Sequence, residues 1–136
     1  MKIVHMEFRV STRDRSEMVD ITGQVSSAVG ESGISNGVAT VYCPHTTAAI
    51  TINENADRSV VHDILLTLDE LLPHIRSGYQ HVEGNSDAHC KSSLVGCSRD
   101  VLIENGALCL GTWQGVFFCE FDGPRNRKVL VQIRGQ

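Results

Sequence analysis

Apolar and polar residues alternate from the start of the chain. Val4, Met6, Phe8 and Val10 are separated by polar neighbours, the period-two pattern of a strand with one buried face. The period then lengthens: Met18, Ile21, Val25 and Ala28 or Val29 recur at helical spacing between Glu17 and Val29, and Asp14-x-x-Glu17 in front of them resembles a capping box. A helix is expected there, ended by Gly33 and Asn36-Gly37. "VATVYC" and "TTAAITIN" read as two β-rich segments on either side of Pro44-His45. The strongest helical pattern runs from Asp57 to Leu72, with Val60, Val61, Ile64, Leu65, Leu68, Leu71 and Leu72 on one face and Pro73 closing it. Such a helix is expected to cover a sheet.

Farther on, the short apolar segments "SSLVGC", "DVLI", "ALCLGTW", "VFFCEF" and "KVLVQI" are divided by Gly, Asn-Gly and Asp-Gly-Pro signals. Closely spaced strands joined by turns make an antiparallel arrangement. The expected fold is α+β, an antiparallel β-sandwich-like core with two main helices, in a single domain spanning residues 1–136. Strand order stays open, because several short segments can pair in more than one way.

Between the second helix and the later strands lies "YQHVEGNSDAHCKSS", Tyr79 to Ser93, where polar residues crowd together with few apolar ones. It reads as an internal loop of about 18 residues, and loops that long in compact domains are usually functional or disordered. His81, Glu83, Asp87 and His89 are groups that bind cations and move protons. The His-x7-His spacing matches neither a zincin helix nor a zinc ribbon, and histidines that cap backbone groups would look the same. Gly84-Asn85 marks a tight turn folding the segment back on itself.

Other candidates are scattered. His45, held by Pro44, is either a structural histidine or an acid-base group, and Glu54 either orients it or begins the second helix. Lys91 with Ser92 and Ser93, and Arg125 in "FDGPR", suit a phosphate. Trp113 and Gln114 in "LGTWQG" form either a core strand or a stacking surface. His5, His62 and His74 receive no role.

Composition narrows the classes. With 41% hydrophobic and 21% charged residues the chain is an ordinary globular protein. No apolar run approaches the roughly 20 residues of a membrane span, and the alternating N-terminus lacks a secretory signal's apolar core. A net charge of −4 with scattered basic residues argues against a nucleic-acid surface. Five cysteines without a CxxC fit reduced thiols in a cytoplasm; Cys90 alone lies in the polar run. Neither a Walker loop nor GxGxxG is present.

Taken together, "HTTAAITINENAD", "GYQHVEGNSDAHCKSSLVG" and "LGTWQGVFFCEFDGPR" resemble, in order and over essentially the whole chain, the signature blocks of the YjbQ-type secondary thiamine-phosphate synthases. The resemblance implies a compact α+β protein assembled as a homotrimer. It also implies an activity that joins hydroxymethylpyrimidine diphosphate to thiazole phosphate with release of pyrophosphate. It further implies a polar cluster made of His45, Glu54, His81, Glu83, Asn85, Asp87, His89, Lys91, Ser92, Trp113, Gln114, Glu120 and Arg125. On this reading His45, Glu54, His81, Glu83, Asp87 and His89 carry the chemistry. Asn85, Lys91, Ser92, Trp113, Gln114, Glu120 and Arg125 hold a phosphorylated small molecule. His45, His81 and His89 bind a divalent metal, magnesium for the synthase reaction or zinc at the histidines. The rivals are a metal-assisted hydrolase of a phosphorylated small molecule and a non-catalytic metabolite-binding trimer.

Overall fold

The computed structural model describes residues 1–136. The alternation at the N-terminus forms β1 (Lys2–Ser11), whose Val10 is buried and whose Val4, Met6 and Phe8 are half-buried on the same face. The next segment departs from expectation. Glu17–Asp20 is a short strand, β2, and the helix α1 begins only at Thr22 and runs to Ser32. The Glu17 carboxylate does accept the Asp14 N–H at 2.9 Å, as a capping glutamate would. It closes a turn into a strand, however, because Glu17–Asp20 pair with Glu120–Phe117. Asp20 then starts the helix by accepting both the N–H and the hydroxyl of Thr22. Gly33, at φ 70°, ends it in the left-handed conformation that suits glycine.

The remaining elements are β3 (Gly37–Tyr42), β4 (Ala48–Glu54), α2 (Arg58–Leu71), α3 (Ser86–Val95), β5 (Ser98–Glu104), β6 (Ala107–Leu108), β7 (Gln114–Glu120) and β8 (Asn126–Gly135). The eight strands form two antiparallel sheets, one of five strands in the order β1-β8-β3-β5-β6 and one of three in the order β2-β7-β4. The inner face of the larger sheet and α1 share one core with the smaller sheet, built on Val25, Val29, Val41, Ile50, Phe118, Val131 and Ile133. The other face of the smaller sheet carries Ala49, Phe117, Cys119 and Phe121, which meet Ala88 of α3 and the Val61, Leu65 and Leu68 stripe of α2. The three-stranded sheet is therefore covered on both sides. That explains why β7 reads as a continuous apolar run rather than an alternation.

The expected α+β fold with its antiparallel sheets is present. Two expectations at α3 are corrected: the second half of the polar run is a third helix rather than part of a long loop, and "SSLVGC" mostly ends that helix instead of forming a strand. The buried residues of α3 are Asp87, Ala88, Lys91 and Ser92, spaced as one helical face. Ala88 alone on that face is apolar, and the ions Asp87 and Lys91 take positions that hydrocarbon would fill elsewhere, so hydrophobic periodicity gives almost no signal over it. Arg15 grips Asp87 through two hydrogen bonds of 3.0 Å. Lys91, 1% exposed, reaches Asp87 at 3.3 Å and Asp69 of α2 at 2.5 Å. Four charges thus bolt α3 to α2 and to the β1–β2 turn.

A cleft at the N-terminus of the third helix

Three loops converge beside the N-terminus of α3. The β3–β4 loop brings Pro44 through Thr47, the β7–β8 turn brings Asp122 and Arg125, and the segment entering α3 brings Glu83 and Asn85. With His89 and Arg127 they line a cleft of about 350 Å³ that has no hydrophobic side chain in its wall. A larger groove of about 630 Å³ crosses the outer face of the five-stranded sheet, past Tyr42 and Leu130, but it gathers none of the candidate cluster.

Local structure sets each side chain. Asn85 precedes the helix and His89 follows four residues later, so both project from the same side of the first turn. Arg127 lies in phase with Val129, Val131 and Ile133 on β8 and so points inward, 5% exposed. Its charge is met by Glu120, buried at the end of β7. Glu120 accepts Arg127 Nε at 2.8 Å and Nη2 in a second short contact, the Thr12 hydroxyl at 2.8 Å and the Asp122 N–H at 3.0 Å. Burial alone would raise the Glu120 pKa, but Arg127 and these hydrogen bonds outweigh it and hold the carboxyl below its ordinary range. Arg127 Nη2 also donates to the Thr47 hydroxyl at 2.9 Å. Arg125 is held by Asp122, whose backbone oxygen accepts Nε at 2.8 Å and whose carboxylate accepts Nη2 at 3.0 Å. The turn carrying both passes through a cis Gly123–Pro124 bond.

His45 has one nitrogen already engaged. The Lys128 N–H donates to its Nε2 at 2.9 Å, which leaves the proton of the neutral ring on Nδ1. Burial, followed by the charge of Arg127, lowers its pKa, so the imidazole is neutral at pH 7. The metal role expected for His45 does not fit this bonding, since a neutral ligand binding through Nδ1 would need a proton on Nε2. His81 and His89 meet edge to face with centroids 5.4 Å apart, and His81 Nε2 stands 3.7 Å from Glu83. No three His, Cys, Asp or Glu side chains are grouped so that they could hold a metal ion. The histidine metal centre expected from sequence is not assembled by one chain.

Of the expected cluster, the fold brings His45, Glu83, Asn85, His89 and Arg125 to the cleft, with His81 against His89 and Glu120 behind Arg127. Asp87 and Lys91 serve the buried ion network, so the phosphate contact expected of Lys91 would require it to leave two carboxylates. Ser92 donates to the Ala88 carbonyl within α3. Glu54, Trp113 and Gln114 lie at the opposite end of the small sheet: Glu54 pairs with Gln114 there, whereas Ala48 pairs with Glu120 near the cleft. Six residues of strand separate the two ends, about 20 Å. Gln114 accepts the Gly111 N–H at 2.8 Å, and Trp113 is exposed.

Sequence reasoning missed Thr46, Thr47, Asp122 and Arg127. For Arg127 a signal existed: a charge on the core parity of an otherwise apolar strand needs a buried partner. Asp122 and the threonines gave none beyond lying next to Arg125 and His45.

The model of a protein family described as UPF0047 protein YjbQ-like matches residues 6–136. A UPF0047 protein of Methanocaldococcus jannaschii is 54% identical over 137 residues, covering 99% of both chains. The UPF0047 protein YugU of Bacillus subtilis is 53% identical, over 93% of this chain and 96% of its own. Among solved structures, a YjbQ/UPF0047 family protein of Clostridium acetobutylicum superimposes with a TM-score of 0.93 at 56% identity, covering 95% of this chain and 99% of its own. A YbjQ-like protein of unknown function from Sulfolobus solfataricus superimposes with a TM-score of 0.95 at 38% identity, over 99% of each chain.

Proposed function

The chain belongs to the UPF0047 YjbQ-like family, and we propose that its cleft holds the phosphate end of a small molecule and serves a group transfer of the thiamine-phosphate synthase type. One observation carries the reading: Arg125 and Arg127 line the same cleft, each kept in place by its own carboxylate. Guanidinium groups fixed before the ligand arrives suit phosphate oxygens, and the ordering cost is met during folding.

In the proposed reaction the bond between the methylene carbon of the pyrimidine and its diphosphate oxygen breaks, and its electron pair leaves with pyrophosphate. The thiazole nitrogen donates its lone pair to form the new C–N bond. Nothing is oxidised or reduced. Negative charge gathers on the departing pyrophosphate, where Arg125 and Arg127 would meet it. His45 would add an Nδ1–H donor, and His89 stands on the same wall. Positive charge develops on the thiazole ring, which Glu83 and Asp122 would favour. The chemistry assigned here needs no resident metal; magnesium would enter as the counter-ion of the diphosphate. The reading includes a homotrimer in which Glu54, Trp113 and Gln114 of a neighbouring copy would approach the cleft. Light scattering that shows a monomer would remove that part.

The test is turnover by purified protein given both thiamine precursors and magnesium, compared with Arg125→Ala and His89→Ala. Product from the wild type, reduced about 100-fold or more in folded Arg125→Ala, is the expected result. Release of inorganic phosphate without a second substrate would replace the synthase with a hydrolase. Binding without turnover would leave a recognition site.

A further inference from the structure

The interior leaves one buried side-chain polar atom without a hydrogen-bond partner, and it belongs to the cleft. Asn85 is 6% exposed, and its Oδ1 accepts nothing. The amide cannot simply turn over, because Nδ2 donates to Asp122 Oδ2 at 2.7 Å; exchanging the two ends would set a carbonyl against a carboxylate. Helix capping does not claim the side chain either, since it makes no cap bond. Its backbone carbonyl alone receives the N–H groups of Ala88 and His89, at 3.0 and 3.3 Å. A buried acceptor left unsatisfied is unfavourable in a native protein and calls for a partner.

That partner must be a donor, and the cleft that Asn85 lines is the side from which a ligand can bring one. Asn85 lines the cleft with Arg125 and His89, and Asp122 orients Asn85 and Arg125 through the same Oδ2. One carboxylate thus sets both an anion-binding group and a neutral acceptor. Resting on the reading of the cleft as a phosphate site, we propose that Asn85 is a specificity-determining residue whose Oδ1 accepts a hydrogen bond from a hydroxyl or amine of the ligand. The natural ligand is then a phosphorylated small molecule that carries such a donor a few bonds from its phosphate.

Calorimetric titration of the full chain tests this with probes that differ only at one end. These are 2-, 3- and 4-carbon ω-hydroxyalkyl and ω-aminoalkyl phosphates, each paired with the alkyl phosphate of equal length. At one length or more, the wild type should bind the donor-bearing member about tenfold more tightly, the scale of one buried hydrogen bond. Asn85→Ala should erase that preference, so that the two members of each pair bind alike whatever their common affinity. Equal affinities at every length in the wild type overturn the proposal, as does a preference that survives in Asn85→Ala. If that variant does not fold, the carbonyl-carbon shift of the Asn85 side chain decides: it must move with the donor-bearing probe and stay with the alkyl one. Failure of every phosphate to bind, alkyl members included, would instead sink the phosphate reading and this proposal with it. A purely structural Asn85 would leave the preference untouched.

Discussion

Replacing Asp87 by alanine removes the centre of the ion network that seats α3. Asp87 is fully buried and takes two hydrogen bonds of 3.0 Å from Arg15 and one of 3.3 Å from Lys91. Loss of one partner of a buried pair costs about 3–5 kcal/mol, because the other charge is left in a poor solvent. Here Arg15 is one-third exposed and can turn to water, and Lys91 keeps Asp69 at 2.5 Å. The lower end, about 3 kcal/mol, is therefore expected, equivalent to a fall in Tm of about 10 °C for a chain of this length. Urea unfolding followed by circular dichroism measures it. Lys91→Met added to Asp87→Ala should recover part of the loss, since it removes a buried cation that has lost one of its two carboxylates, and the coupling between the two sites should be about 2 kcal/mol. A loss below about 1 kcal/mol in Asp87→Ala, or strict additivity in the double variant, would refute the reasoning. So would a Lys91→Met protein of unchanged stability that no longer binds a phosphorylated probe, because Lys91 would then act in the cleft.

Acid should act on the same network. Burial would raise the Asp87 pKa, but Arg15 and Lys91 lower it overall, so its stabilising contribution is complete above the unfolded value near pH 4 and is lost as pH falls through the lower folded value. Stability measured from pH 6 to pH 2 should fall in the wild type below about pH 4, and less steeply in Asp87→Asn. His45 carries a shift of the same sign: its lowered pKa means that stability declines as pH drops below about 6.5. In an NMR titration its ring should protonate below that value, and the Lys128 amide resonance should move with it; a midpoint at or above 6.5 would contradict the burial of the ring beside Arg127. Gly123→Ala should loosen the cleft, because an added Cβ would lie 2.3 Å from the Asp14 backbone oxygen and 2.8 Å from Glu120 Cγ. Affinity for a phosphorylated probe should drop with Tm, and a variant matching the wild type in both would show that the turn has room.

Much of the fold was legible because the relevant information is local. Alternation marked β1, the apolar stripe marked α2, and Gly, Asn-Gly and Asp-Gly-Pro divided the later strands; each pattern records which side of its own element faces the core. The family blocks directed attention to His45, Asn85, His89 and Arg125, all of which reach one cleft.

Other features depended on groups far apart in the chain. The helix α3 has no hydrophobic stripe because its buried face is satisfied by Arg15 and Asp69, 72 and 22 residues from their partners. Glu17–Asp20 became a strand because β7 lay alongside to pair with it, a contact that overrides spacing. Lys91 and Arg125 look alike in sequence as phosphate-binding cations, yet one is closed in by carboxylates and the other lines the cleft. Sequence by itself determined the periodicities and the inventory of polar groups. Only the tertiary structure decided which charges neutralise one another and which face a ligand, because electrostatic pairing depends on distance in space and on burial, and neither is encoded by neighbours along the chain.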